Sequence, residues 1–286
     1  MSAGWLIVGA DGLLGGTLRQ HWREQNQPVA ATSFLPLEDT RDLVHLDLSQ
    51  PSDAWPVLPL CRSAVLCAAI TSLDQCRRDP TGTRRINVEQ TLRLADKLVS
   101  QGTFVVFVSS NLVFDGSKPL RQPQETPCPM TEYGRQKAEA EADLAQFGPR
   151  AAVVRLTKVV HPGLPLIAGW RKTLAKGQPI QAFSDFICAP ITLAPTIASI
   201  AAVAEQQLPG IWQLSSSADI SYAGMAERLA ERWHVDPTLI QAIPSSERVT
   251  LEHLPRFSTL EATESQRKLG FKILDPTSVI DEISAP

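Results

Sequence analysis

The chain has 286 residues, 43% of them hydrophobic, which is enough for one large α/β domain or for a domain with an added lobe. Its formal net charge is -3, and it has no long basic run of the kind that binds nucleic acid or an anionic membrane surface. These properties argue against both partner classes and favour a small-molecule partner.

Apolar runs of strand length alternate with stretches of helical period through the first half of the chain. Between the third and fourth runs, Val88, Leu92, Ala95 and Val99 recur at the spacing that gives a helix one apolar face. This alternation predicts an α/β fold with a mostly parallel sheet and helices on both sides. The predicted strands are WLIV (5–8), VAATS (29–33), AVLCAA (64–69), TFVVFVSS (103–110) and AAVVRL (151–156).

The second half of the chain is less regular. From residue 157 prolines become frequent, as in HPGLPL and CAPITLAP. We therefore predict one domain over residues 1–156 and a smaller lobe over 157–286. GIWQLSSS (Gly210–Ser217) indicates a late strand of the first domain, and a short helix is expected over Tyr222–Trp233.

A glycine-rich turn directly follows the first predicted strand. Gly9, Gly12 and Gly15 form G-x-x-G-x-x-G ahead of a helical stretch from Thr17 to about Glu24. Glycine permits a tight turn and lets backbone N–H groups approach a pyrophosphate at a helix N-terminus, where the macrodipole favours an anion. The motif predicts a dinucleotide site in a Rossmann-type, doubly wound parallel sheet.

The end of the second strand and the stretch VHLDLS bear on the cofactor. Asp47 in VHLDLS can accept a hydrogen bond from an adenine amino group, with Leu48 packing nearby. No acid closes the second strand, where a carboxylate would bind the adenosine 2′-hydroxyl; Ser33 stands there instead. The sequence therefore favours NADPH, with NADH also compatible, although Arg41, the nearest downstream cation, is too distant to assign.

A candidate proton-transfer pair lies in MTEYGRQKAEAEADL (Met130–Leu144), which is rich in good helix formers. Tyr133 and Lys137 are four residues apart and share a helix face. A neighbouring ammonium lowers the pKa of a tyrosine from about 10 toward neutral pH. An aromatic and a cation on an ordinary helix would show the same spacing. The spacing alone therefore does not distinguish a catalytic pair from an ordinary helix face, and the other motifs of the chain have to decide.

Several motifs together resemble the extended short-chain dehydrogenase/reductase superfamily. They are the glycine motif, CAA (67–69), INV (86–88), VSSNLVFDG (108–116) and YGRQK (133–137). Within this superfamily the chain most resembles dTDP-4-dehydrorhamnose reductases and related sugar-nucleotide reductases, because VFDG is followed by ET, then P and YG. APITLAPTIASIAAV (189–203) and GIWQLSSSADISYAGMAERLAE (210–231) extend this resemblance over nearly the whole chain.

The resemblance implies a catalytic triad. Ser110 would hydrogen-bond the substrate carbonyl, and Tyr133 would donate a proton to it as hydride arrives from the nicotinamide. Lys137 would hold the nicotinamide ribose and lower the pKa of Tyr133. Ser109 competes with Ser110 for its role, and Asn87 is either a cofactor-site residue or a helix cap.

The resemblance also implies a wider set of site residues and a smaller substrate-binding lobe over residues 157–286. Expected cofactor-binding residues are Gly9, Asp11, Gly12, Leu13, Leu14, Gly15, Ser33, Asp47, Leu48, Cys67, Ala68, Ala69, Asn87, Ser109, Tyr133 and Lys137. Expected substrate-binding residues are Ser110, Asn111, Thr157 and Arg256.

Two departures from the family pattern narrow the chemistry. Asn111 and Leu112 stand where 4,6-dehydratases carry an acid and a base, so elimination of water is disfavoured. Rhamnose-type reductases usually have Asp and Tyr at these two positions, so the resemblance does not determine which sugar is the substrate. Leu254, Pro255 and Arg256 replace the usual Arg-Pro, so contact of Arg256 with a diphosphate also stays open.

The five cysteines are odd in number and form no C-x-x-C pair, which indicates neither a disulfide framework nor a zinc site. No apolar run reaches the ~20 residues of a membrane span, and the N-terminus lacks a signal peptide's basic region. We expect a soluble cytoplasmic protein without a metal, and a homodimer is compatible with the resemblance.

Three functions remain open from the sequence. The first is reduction of the 4-keto group of a nucleotide-linked deoxysugar, an oxidoreductase reaction of deoxysugar biosynthesis. The second is NAD-dependent 4-epimerisation of a sugar nucleotide, which uses the same three catalytic side chains. The third is a non-catalytic NADP-binding role like that of the regulatory β-subunit of methionine adenosyltransferase.

Overall fold

The computed structural model describes residues 3–35, 43–248 and 252–284. The chain forms two compact units and passes between them several times. The first unit comprises Met1–Val113, Pro127–Arg155 and Ile197–Trp212, and the second comprises Phe114–Thr126, Leu156–Thr196 and Gln213–Pro286.

A seven-stranded sheet organises the first unit. Its strands are β1 (Ala3–Val8), β2 (Val29–Ser33), β3 (Leu43–His45), β4 (Cys61–Leu66), β5 (Phe104–Ser110), β6 (Ala151–Leu156) and β11 (Gly210–Leu214). Their order is β11-β6-β5-β4-β1-β2-β3, and β1 pairs in parallel with both β2 and β4. The chain therefore winds outward in both directions from β1, which confirms the predicted Rossmann-type α/β fold.

Three strands of this sheet differ in detail from the sequence prediction. β4 covers Cys61–Leu66, three residues earlier at each end than the predicted 64–69. β3 has only three residues, too few for an alternating pattern to be recognised. The late strand is present as predicted but ends at Leu214, three residues early.

Helices pack on this sheet through an apolar core that includes Leu6, Leu66, Leu94, Leu98 and Phe107. The predicted helical face is confirmed, since Val88, Ala95 and Val99 are buried. A π-helical turn over Arg85–Gln90 joins two of the helices. The helices are α1 (Leu13–Glu24), α2 (Leu73–Arg78), α3 (Pro80–Arg84), α4 (Thr91–Ser100), α5 (Glu132–Leu144) and α7 (Leu193–Gln206).

The second unit has short strands and its own core around Val160, Trp170, Leu229 and Ile280. Its strands are β7 (Lys158–Val160), β8 (Ile180–Phe183), β9 (Ile187–Cys188), β10 (Pro190–Thr192), β12 (Ile220–Ser221) and β13 (Ile240–Ile243). Its helices are α6 (Pro165–Leu174), α8 (Tyr222–Arg232), α9 (Thr263–Leu269) and α10 (Pro276–Ser284). Strands β7 and β10, and β8 and β13, pair in parallel, whereas β9 and β12 are antiparallel.

Within the described ranges, no helix has both the length and the apolar character needed to cross a bilayer. The same ranges contain no cluster of three or more His, Cys, Asp or Glu side chains suited to a metal ion.

Candidate active site

The glycine-rich turn between β1 and α1 is held in a shape that only glycine fits. Gly9 has φ of +91°, and a Cβ built on it would lie 2.7 Å from the Ala68 nitrogen. A Cβ on Gly15 would lie 2.2 Å from the Gly9 oxygen. Around Gly12, in contrast, the nearest such atom is 3.8 Å away. The turn is therefore tightly packed at Gly9 and Gly15 and open at Gly12.

The N-terminus of α1 fits the diphosphate of a dinucleotide. Gly12 is the N-cap, and no side chain caps the helix there. The first turn, which begins with Leu13 and Leu14, has no acidic residue. Uncapped N–H groups and the helix dipole both attract an anion at such an end.

A cavity of about 510 Å³ opens beside this turn, and its volume suits a cofactor. It lies among the carboxyl ends of β1, β2 and β4 and the segment after β3. Eight of the predicted cofactor residues line it: Gly9, Asp11, Gly12, Asp47, Leu48, Cys67, Ala68 and Ala69.

The carboxyl end of β2 carries an acid that the linear sequence did not reveal. The Ser33 hydroxyl donates to Asp11 Oδ1 at 2.6 Å, and the Phe34 N–H donates to Asp11 Oδ2 at 2.9 Å. A carboxylate from the glycine turn thus occupies the strand end at which only Ser33 was expected. Arg41 lies outside the described residues.

Asp47 is held in an ionised form next to Leu48. Its carboxylate accepts hydrogen bonds from the Ser49 hydroxyl and from the Ser49 N–H, both at 2.8 Å. These bonds hold the pKa of Asp47 below its ordinary value. The carboxylate is therefore available as a hydrogen-bond acceptor at the cavity wall.

Asn87 supports the loop after β4. Its Oδ1 accepts from the Ile70 N–H at 2.7 Å, and its Nδ2 donates to the Ile70 oxygen at 2.9 Å and to Gln136 Oε1 at 2.8 Å. The helix-cap alternative is wrong, because Asn87 lies inside the π-helical turn of a continuous helical run. Its side chain links the cavity loop to α5.

The two serines at the end of β5 have different partners. Ser109 is buried, and its hydroxyl donates to a Glu141 carboxylate oxygen. Ser110 is half-buried, and its Oγ accepts from the Leu112 N–H at 3.2 Å while donating to Asn111 Oδ1 at 3.3 Å. Ser110 is therefore the more accessible hydroxyl of the two.

Helix α5 brings Tyr133 close to the turn that follows Ser110. Thr131 caps the helix by accepting from the Gly134 N–H at 3.1 Å. A Cβ on Gly134 would lie 2.1 Å from the Leu112 oxygen, so the absence of a side chain permits this close approach. Tyr133 lies next to Gly134 and is 8% exposed.

Lys137 is buried one turn further along the same helix. Its Nζ donates to the Val108 oxygen at 2.9 Å and lies 4.3 Å from the centre of the Phe107 ring and 5.8 Å from that of Tyr133. Burial lowers the pKa of Lys137 from 10.5 to about 8, and nearby acidic groups, first the Cys67 thiol and then Glu141, offset part of this effect.

The predicted lowering of the Tyr133 pKa is wrong for this structure. Burial, and then the neighbouring Cys76 thiol, raise the pKa of Tyr133 above its ordinary value. Lys137 directs its ammonium at a backbone carbonyl, so it does not counter the loss of solvent around the phenol. Tyr133 is consequently a neutral hydroxyl at physiological pH.

A buried ion pair behind the triad was missed in the sequence. Arg155 Nη2 donates to Glu141 Oε2 at 2.7 Å, and Arg155 Nε contacts both carboxylate oxygens at 3.1 Å. The two side chains are only 1% and 4% exposed. The signal was an arginine inside the apolar strand AAVVRL and a glutamate four residues after Lys137.

The remaining predicted substrate residues belong to the second unit. The Thr157 N–H donates to the Leu214 oxygen at 3.2 Å, and its hydroxyl lies 3.4 Å from the same atom. The Arg256 N–H donates to the Gly116 oxygen at 3.1 Å, and its side chain is exposed.

A catalytic role of Lys137 would appear in the pH dependence of kcat/KM, because that constant reflects ionisations of the free enzyme. Lys137 is charged below a pH of about 8 and becomes neutral above it. Activity is expected to fall with a midpoint near that pH, and Lys137→Arg, although slower, should lack this alkaline limb. A wild-type profile that stays flat to about pH 10 would contradict the assignment.

Comparison with known proteins places the chain in a family. A family model described as RmlD substrate binding domain matches residues 4–284. The probable low-salt glycan biosynthesis reductase Agl14 of Haloferax volcanii is 25% identical over 280 residues, covering 92% of this chain and 91% of that protein. The dTDP-4-dehydrorhamnose reductase of Aggregatibacter actinomycetemcomitans is 26% identical over 299 residues, with 98% of each protein covered.

The same fold occurs in a solved relative. The structure of dTDP-4-dehydrorhamnose reductase from Bacillus anthracis, in complex with NADP, matches with a TM-score of 0.84 at 18% identity over 99% of each chain. The family model covers almost every residue from the first strand to the last helix, in agreement with the motif resemblance. The chain therefore belongs to the RmlD substrate binding domain family.

Proposed function

We propose that the protein is an NAD(P)H-dependent reductase of the 4-keto group of a nucleotide-linked deoxysugar, similar to dTDP-4-dehydrorhamnose reductase. One observation carries this proposal: neutral Tyr133 and buried Lys137 lie on a helix whose first turn packs against the turn after Ser110, in the unit that holds the cofactor-sized cavity. Two relatives that match over nearly their full length are both named as reductases.

The cavity residues suit a reduced nicotinamide dinucleotide, which supplies the hydride when bound. The glycine turn and the start of α1 hold the diphosphate, while Asp47 and Leu48 contact the adenine. Cys67, Ala68 and Ala69 form the wall after β4, and Asn87 keeps that wall in place through Ile70. The NADP-bound relative supports NADPH as a cofactor, and the same residues accept NADH.

The three polar side chains have distinct tasks in the reaction. The Ser110 hydroxyl donates to the substrate carbonyl oxygen and fixes its direction. Tyr133 donates its proton to that oxygen as the alcohol forms, because its hydroxyl is protonated at physiological pH. The Lys137 ammonium binds the nicotinamide ribose when the cofactor is present.

Substrate contacts are assigned to Asn111, Thr157 and Arg256, with Arg256 suited to the diphosphate of a sugar nucleotide. We place the reaction in the cytoplasm, which accords with five cysteines that are all free thiols. A homodimer stays a prediction. Neither epimerisation nor a purely regulatory role has a comparable basis, because the full-length relatives are named as reductases.

To test the proposal, the protein is mixed with NADPH or NADH and each of a panel of nucleotide-linked 4-keto-6-deoxysugars. The loss of the near-ultraviolet absorbance of the reduced cofactor measures turnover. We expect multiple turnovers with at least one sugar and net formation of an alcohol. A co-purifying cofactor that is never consumed, with interconversion of two alcohols, would indicate an epimerase. Cofactor binding without any chemistry would overturn the reductase proposal in favour of a binding role.

A further inference from the structure

Four hydrogen bonds tie the glycine turn to the end of β2, and two of them are accepted by Asp11. The Gly9 N–H donates to Thr32 Oγ1 at 3.1 Å, and the Ala10 N–H donates to the Thr32 oxygen at 2.8 Å. The next residue, Asp11, then accepts from the Ser33 hydroxyl and the Phe34 N–H. The glycine turn is thereby tied to β2, and the carboxylate has one defined position beside the cavity that Asp11 lines.

The two groups that donate hydrogen bonds to Asp11 are the groups that could otherwise donate to a 2′-phosphate. A 2′-phosphate at this strand end needs donors, and the Ser33 hydroxyl and the Phe34 N–H are the donors that β2 offers there. Both already donate to the Asp11 carboxylate. The carboxylate in turn is a pure acceptor, which suits a 2′-hydroxyl and not a second anion.

The charge of the cavity wall also disfavours a 2′-phosphate. Among the lining residues, all from the described part of the chain, none is a lysine, arginine or histidine, whereas Asp11 and Asp47 are acidic. A phosphate monoester adds about -1.5 to -2 charge at neutral pH. The described wall therefore offers this group repulsion and no counterion.

We infer that Asp11 is a specificity-determining residue that binds the adenosine 2′-hydroxyl and disfavours a 2′-phosphate, so that the protein binds NADH more tightly than NADPH. The inference rests on the proposed function for the identity of the cavity as a dinucleotide site. The sequence favoured NADPH because it has no acidic residue at the end of the second strand. The fold brings the Asp11 carboxylate to that strand end, and this carboxylate favours NADH.

Calorimetric titration of the full chain with NAD⁺ and NADP⁺, and with adenosine 5′-monophosphate and adenosine 2′,5′-bisphosphate, tests the inference without turnover. The wild-type protein is expected to bind the member of each pair without the 2′-phosphate at least about tenfold more tightly. Asp11→Asn loses the charge; its amide oxygen can still accept from the Phe34 N–H, while its NH2 group can donate to the Ser33 hydroxyl oxygen in place of accepting from it. It should raise the NADP⁺ to NAD⁺ affinity ratio about tenfold or more.

Asp96→Asn is the matched control, because it removes the same charge from an exposed position on α4. It should leave the affinity ratio unchanged. Asp11→Ser provides a second variant, and circular dichroism reports whether each variant folds. Tighter wild-type binding of the 2′-phosphorylated ligands, or a folded Asp11→Asn with an unchanged ratio, would overturn the inference alone. Failure of the wild-type protein to bind either dinucleotide would overturn the proposed function as well.

Discussion

Replacing Tyr133 by phenylalanine is expected to reduce turnover of the 4-keto sugar about 10²–10⁴-fold, the usual contribution of a positioned general acid. The change removes one hydroxyl from a ring that is 8% exposed and keeps the ring that faces Lys137. The fold and the cofactor affinity should therefore be preserved. Turnover is measured by cofactor oxidation, and cofactor affinity by calorimetry.

The other tyrosine of the chain, Tyr222, gives the matched control for this substitution. It stacks on Phe186 in the second unit, with ring centres 5.0 Å apart. Tyr222→Phe removes the same hydroxyl from a half-buried ring outside the proposed triad, so its turnover should stay within about twofold of wild type. Equal activity of Tyr133→Phe and wild type would exclude Tyr133 as the proton donor.

Local patterns in the sequence were enough to identify the frame of the site. The strand before Gly9, the helix after Gly15 and the helix that carries Tyr133 all depend on neighbours within a few residues. The order of the central strands then follows from the doubly wound topology. This is why the fold and half of the cavity residues could be placed before the structure was known.

Contacts between distant segments could not be predicted in this way. Asp11 and Ser33 are 22 positions apart, and their hydrogen bond depends on how the glycine turn is tied to β2. The pKa of Tyr133 depends on burial, which the helix pattern does not contain. The same limit concealed the partner of Arg155, because nothing in AAVVRL indicates that Glu141 faces it.

Removing one partner of the Glu141–Arg155 pair is expected to destabilise the protein strongly. Glu141→Leu would leave the guanidinium of Arg155 buried without its carboxylate, and Ser109 would lose its acceptor. Such a loss typically lowers the free energy of unfolding by about 3–5 kcal/mol. Urea unfolding followed by circular dichroism and tryptophan fluorescence measures this free energy.

Arg77→Ala is the control, because it breaks an exposed ion pair with Asp74. It should change the free energy of unfolding by less than about 1 kcal/mol.

The double variant Glu141→Leu/Arg155→Met separates the cost of burying Arg155 without the Glu141 carboxylate from the contribution of the pair itself. Apolar replacement of both partners is often neutral or stabilising, because neither charge then has to be removed from water. The double variant should therefore recover most of the stability that Glu141→Leu loses. Equal instability of the single and double variants would show that packing, and not the loss of the Glu141 carboxylate beside Arg155, causes the loss of stability. Because Glu141 raises the pKa of Lys137, the double variant should also shift the alkaline limb of kcat/KM to lower pH.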